Sequence, residues 1–176
     1  RLEPDAGKAR TSGSAVEGWG NTPVGRPEGA PCPYHNKTTL LRYLALLYAR
    51  DLAEDTNLVT NRLGLEEGGR LPILLPLRRL GAYLKARRPQ DDGTEGHALL
   101  LAHLRAMLEG ERVDVPAGFF DPYLREGRAV VLLDGLDEVA DPDLRRRVSR
   151  LVEAFTVAYP DCRYVVTSRV VGYTGP

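Results

Sequence analysis

Three stretches of the chain carry side chains suited to phosphate and metal chemistry. The first is "VVLLDGLDEV", where Asp134, Asp137 and Glu138 put three carboxylates within five residues directly after an apolar run. A buried strand that ends on an acid can hold magnesium directly or through water, and a further acid can polarise an attacking water. Carboxylates so close repel one another unless a cation joins them. The second stretch is "YVVTSR", another apolar run, which closes on Thr167, Ser168 and Arg169. Arginine is a permanent, forked cation that matches phosphate oxygens. The third is "CPYHNKTTLLRYLALLYA", in which Asn36, Lys37, Thr38 and Thr39 stand where a phosphate-binding loop would enter a helix. There a lysine ammonium contacts phosphates and a hydroxyl binds magnesium.

The third stretch departs from the pattern G-x-x-x-x-G-K-[ST]. Pro31 and Asn36 occupy its two glycine positions. Such a loop wraps phosphates with backbone N–H groups, and Pro31 and Pro33 have none to offer. Asn36 reaches a left-handed conformation more easily than most residues. Tyr34 and His35 add bulk where the backbone should approach the ligand, and "TPVGRPEGA" is a poor strand to launch the loop. Three readings stay open: a degenerate site, an N-terminal stretch foreign to the domain, or an unusual mode of binding. The abrupt change of texture near residue 36 favours the second.

To act together, these residues need elements that deliver them to one rim. Residues 1–36 are rich in Gly, Pro, Ser and charge and read as an irregular or disordered arm. Beyond them, 37–176 reads as one partial domain. Leu40, Leu44, Leu47 and Tyr48 recur at helical spacing, predicting a helix that ends near Asp55. A glycine-bearing loop follows. "RLPILLPLRRL" (70–80) reads as a short strand, confined to an edge by Pro72 and Pro76. Leu80 to Arg87 suits one or two helical turns. Thr94 is a candidate cap for a helix carrying Leu100, Leu104 and Leu108, and Ala117 to Arg125 suits a helix interrupted at Pro122.

The clearest unit is the last. An apolar strand ends at Asp134, and Asp141 then caps a helix with Pro142 at its first position and Leu144, Val148, Leu151, Val152 and Phe155 on one side. "CRYVVTSR" predicts a second buried strand over Cys162 to Ser168. Strand, helix and strand of this kind make a crossover in a parallel sheet, so the fold class is α/β. Ligands of such sheets bind beyond the carboxyl ends of the strands, where Asp134 and Arg169 fall.

Composition narrows the partners. The 24 basic and 24 acidic residues cancel, so bulk charge favours neither nucleic acid nor an anionic membrane. Cys32 and Cys162 form no zinc-type cluster and suit a reducing compartment. No apolar run reaches the roughly 18 to 20 residues that span a bilayer. The reading is a soluble, cytoplasmic chain.

These stretches resemble the NACHT family of P-loop NTPases, within the STAND class of signalling ATPases and GTPases. "VVLLDGLDEV" is similar to its Walker B strand, "RYVVTSRVVGY" to its sensor-1 strand, "KTTLLRYLALLYA" to the helix after its Walker A loop, and "RLPILLPLRRL" to the strand that follows. The resemblance implies a P-loop NTPase core with flanking helices, cut short at the C-terminus, with an exposed sheet edge, marginal stability and a tendency to associate. It implies ATP or GTP bound with magnesium, slow hydrolysis, and nucleotide-driven oligomerisation as a switch, for example in bacterial defence or regulation. Lys37 would contact the β- and γ-phosphates, with Asn36 and Thr39 beside it. Thr38 and Asp134 would hold magnesium. Asp137 and Glu138 would orient the water, and Arg169 would sense the γ-phosphate. The alternative is a non-enzymatic interaction module that binds no nucleotide. His97 and His103 read as surface residues on different helix faces, Cys162 as structural, and Arg145 to Arg147 as solvated charge.

Overall fold

The computed structural model describes residues 36–87 and 96–169. The expected arm, the loop before Lys37 and the Thr94 cap fall outside them, save Asn36, which opens the first helix.

A three-stranded, wholly parallel sheet organises the described residues. Its strands are β1 (Leu71–Pro76), β2 (Ala129–Asp134) and β3 (Arg163–Val166), in that spatial order. Strand β2 is central, and its first five residues are all buried. That explains the unbroken Ala-Val-Val-Leu-Leu run: both faces of β2 meet helices, so alternation would strand a polar side chain in the core. Strand β1 lies at an edge, as its two prolines require, since Pro cannot donate to a second ladder.

One face is covered by α1 (Asn36–Glu54) and α2 (Leu58–Leu63). Leu41, Leu47, Tyr48 and Val59 pack there against Val130 and Leu132. Leu47 and Tyr48 of the expected stripe are buried and Leu44 packs beside them, but at its start Leu41 is fully buried and Leu40 is 55% exposed. Helix α2 was not expected. It is one and a half turns, framed by Asn57 and Gly64, both in the left-handed region. Such short helices carry too little periodicity to be read from sequence.

The other face is covered by α3 (Leu77–Ala86), α4 (His97–Gly110), α5 (Phe120–Arg125) and α6 (Pro142–Ala158). Their leucines, with Phe120, Val148 and Phe155, close the larger core over Ile73, Leu75, Val131 and Leu133. Helix α3 starts immediately at the end of β1 and is longer than expected. Pro122 does not interrupt α5: it is the third residue, within the first turn, where a missing N–H leaves no hydrogen bond unmade. Asp141 caps α6 as anticipated, its carboxylate accepting from the backbone N–H of Asp143 and Leu144.

Two expectations about burial are overturned. Strand β3 is not buried: Val165 and Val166 stay exposed, because β3 pairs only with β2 and its outer edge is open among the described residues. His103 is not a surface residue. It is 5% exposed on the inner side of α4, its ring 4.9 Å from that of Tyr83. No helix among the described residues is long and apolar enough to cross a membrane.

Candidate functional site

The parallel sheet delivers three elements to one rim. Strand β2 ends on Asp134, β3 runs out into Thr167, Ser168 and Arg169, and α1 opens with Lys37 and Thr38. Thr38 donates its hydroxyl to Asp134 Oδ2 at 2.7 Å, across 96 residues of sequence. Thr167 donates to the other carboxylate oxygen, Oδ1, at 2.9 Å. The Thr167 hydroxyl also accepts the Gly135 N–H at 3.0 Å. Asp134 is therefore held from both sides, one oxygen by the start of α1 and the other by the end of β3. Lys37 Nζ donates to the Ser168 carbonyl at 2.6 Å, so the ammonium stands on the same rim as Asp134.

Beyond Asp134 the chain turns sharply. Gly135 has φ of 72°, and a 3-10 turn over Leu136–Glu138 follows. A Cβ on Gly135 would meet the Glu138 side chain at 2.9 Å, so glycine serves both the left-handed backbone and the close approach. The turn is pinned to β3 by the Leu136 N–H, which donates to the Thr167 carbonyl at 3.0 Å. It presents Asp137 to the far end of β3. There Asp137 accepts the Arg169 backbone N–H at 3.0 Å and pairs with the Arg169 guanidinium at 3.1 Å.

The three acids take different partners in this geometry. Asp134 accepts from two hydroxyls, Asp137 pairs with Arg169, and Glu138 projects from the turn into solvent. Arg169, expected as a phosphate sensor, has its guanidinium on Asp137. Thr39 is exposed one position beyond Thr38, and Asn36 contributes the first residue of α1.

A cleft of about 690 Å³ opens beside the Thr38–Asp134 contact. Arg42, Arg78, Arg79 and Glu138 line it, with Leu74 and Met107 among its apolar walls. Sequence reading missed Arg42 and Arg78. The signal was faint but present: Arg42 is one turn after Thr38 on the same helix, and Arg78 follows the end of β1, which lies in register with Asp134.

The first turns of the helices that meet the rim are also informative. Neither α1 nor α3 has an acid there; α1 carries Lys37 and α3 carries Arg78 and Arg79. Cations at a helix N-terminus oppose the macrodipole. By contrast α5 and α6 begin conventionally, with Asp121 and Asp143. An anion at the rim would relieve the electrostatic cost at α1 and α3.

Cys162 is buried, donates to the Leu124 carbonyl, and burial pushes its pKa up, which suppresses the reactive thiolate. Among the described residues no cluster of three or more His, Cys, Asp or Glu could hold a metal ion. The rim instead offers one carboxylate and one hydroxyl. That donor set suits magnesium, which keeps several waters and takes one or two carboxylates together with phosphate oxygens. No family model, curated protein or solved structure matches the chain.

Proposed function

We propose that the chain is a nucleoside-triphosphate-binding domain of the NACHT type, built on a P-loop NTPase core and binding ATP or GTP with magnesium as a signalling switch with slow hydrolysis. One observation carries the reading. The Thr38 hydroxyl meets the Asp134 carboxylate at 2.7 Å while the neighbouring Lys37 ammonium reaches the end of β3. A lysine and a hydroxyl opening a helix, set against an acid that ends a buried parallel strand, form the set of groups that magnesium triphosphate chemistry uses.

In this reading Thr38 and Asp134 would hold the ion, which when bound supplies positive charge against the phosphate oxygens. Lys37 exchanges the Ser168 carbonyl for phosphate. Thr167 keeps the Asp134 carboxylate oriented. Glu138, exposed in the turn and lining the cleft, orients an attacking water, and the Asp137–Arg169 pair holds the turn to β3. Self-association driven by nucleotide would give the switch its output.

A second reading is favoured by a specific observation. Lys37 is engaged by a backbone carbonyl, and Pro31 and Pro33 remove N–H donors that a phosphate loop needs. The chain would then be a non-enzymatic interaction module whose rim is held closed by its own hydrogen bonds. Calorimetric titration of magnesium-ATP and magnesium-GTP into the chain and into Lys37→Ala separates the two. Binding that Lys37→Ala weakens supports the nucleotide site. Heat-silent titrations of both nucleotides, with equilibrium dialysis also showing no uptake, support the interaction module.

A further inference from the structure

We propose that Arg42 and Arg78 form a clamp for the terminal phosphate of a magnesium-bound polyphosphate, so that the site distinguishes a triphosphate from a diphosphate. The inference deepens the nucleotide reading and rests on it. Its basis is the cleft on the β1 side of the Thr38–Asp134 contact, which both arginines line.

The placement of the charges is directional. Lys37 reaches towards β3, at Ser168. Arg42 and Arg78 lie on the opposite side of Asp134, towards β1. A phosphate chain crossing the strand ends would meet Lys37 at one part and the arginine pair at its far end, with Thr38 and Asp134 between.

The charges in the cleft are unequally satisfied. Arg79 is paired with Glu111 at 2.7 Å. Among the described residues Arg42 and Arg78 have neither a hydrogen bond nor an ion pair. Arg78 also sits in the first turn of α3, where a cation is electrostatically disfavoured. Two guanidinium forks converging on one cleft suit an anion with several oxygens, which each can grip with two parallel hydrogen bonds. Leu74, Ala82, Met107 and Leu108 add apolar wall, and the carboxylates of Asp134, Glu138 and Glu111 line the same cleft, where a magnesium ion would sit between them and the phosphates.

The test is calorimetric titration of magnesium-ATP, magnesium-ADP and magnesium-tripolyphosphate into the full chain, Arg42→Gln, Arg78→Gln and the double variant. Arg62→Gln, in a separate cleft, removes the same charge elsewhere. Both arginines are exposed, so thermal melts should show intact folding. The clamp predicts that each substitution weakens ATP and tripolyphosphate roughly tenfold, leaves ADP within about twofold, and is not mimicked by Arg62→Gln. Equal losses for ATP and ADP, or no loss for either, overturn the clamp while leaving the nucleotide reading intact. Arginine-dependent binding of tripolyphosphate without binding of either nucleotide keeps the clamp and overturns the nucleotide reading. Binding of none of the three overturns both.

Discussion

The contact between Thr38 and Asp134 ties the first helix to the central strand, and its strength can be measured without any ligand. Thr38→Val removes the hydroxyl and little else. The lost bond is short, at 2.7 Å, and its acceptor is a carboxylate. Hydrogen bonds to charged groups contribute about 1.5–3 kcal/mol net. Both residues are only half-buried, so water replaces part of the loss and the low end applies. Thr38→Val should therefore cost about 1.5 kcal/mol. Asp134→Ala removes the Thr167 bond as well and should cost more. Combining the two gives a double-mutant cycle whose coupling should be about 1 kcal/mol. Thr167→Val is an internal comparison. Its hydroxyl both donates to Asp134 and accepts from Gly135, so its loss should exceed that of Thr38→Val. The assay is urea unfolding in magnesium-free buffer with a chelator, with unchanged m-values as the check on two-state behaviour. A coupling below about 0.3 kcal/mol, within ordinary additivity, would refute the reasoning. It would mean that α1 is held to the sheet by apolar packing alone and that the rim is not a connected polar unit.

Other perturbations probe the frame around the rim. His103→Leu should stabilise the fold by about 1–2 kcal/mol, since neither ring nitrogen has a partner among the described residues and the ring is buried; a destabilised variant in urea melts would contradict this. Burial and the nearby Arg79 lower the His103 pKa from its ordinary 6.5. The unfolded chain therefore binds the proton more readily, so the fold loses stability as pH falls below about 6.5 towards the lowered folded value, and the group has no pH effect above that range. That acid-side loss should vanish in His103→Leu, and its persistence unchanged would assign it to other groups. Asp51, only 3% exposed, accepts the N–H groups of Val59 and Gly69. Asp51→Ala should cost about 2–3 kcal/mol by leaving those donors unpaired and freeing the loop before β1, which hydrogen exchange at Gly69 would report. Gly127→Ala should cost more than Gly135→Ala in thermal melts. Both have positive φ, but the added Cβ would meet the Asp161 backbone carbonyl oxygen at 2.9 Å in the first and a flexible Glu138 side chain in the second.

How far the sequence reaches can be seen element by element. Strand β2 and helix α6 were legible because their signals are local and agree with one another: an unbroken apolar run, then an aspartate cap, a proline at the first helical position and a stripe at helical spacing. Lys37, Thr38, Asp134 and Arg169 were nominated by residue type and by position at element ends, and an α/β pattern alone predicts that strand ends share a rim. On α1, Leu44, Leu47 and Tyr48 were placed on the core side as they are, but Leu40 was read where Leu41 belongs, because the two adjacent leucines start nearly equal faces. Only contact with Val130 and Leu132 decides between them. His103 was misread for a related reason: burial of a helix side depends on what lies opposite, here Tyr83 on α3.

The polar wiring of the rim belongs wholly to tertiary structure. Nothing in the spacing of Asp134, Asp137 and Glu138 tells which acid meets hydroxyls, which meets Arg169 and which stays in solvent. Those choices follow from the twist of the turn after Gly135 and from β3 lying beside β2 rather than elsewhere. The arginine pair of the cleft is likewise set by α1 and α3 approaching the same strand end from opposite faces of the sheet. Residue types and strand-end positions determined which side chains were available for chemistry. Packing across 96 residues of chain decided which of them touch, because hydrogen-bond partners are fixed by distances that sequence spacing does not encode.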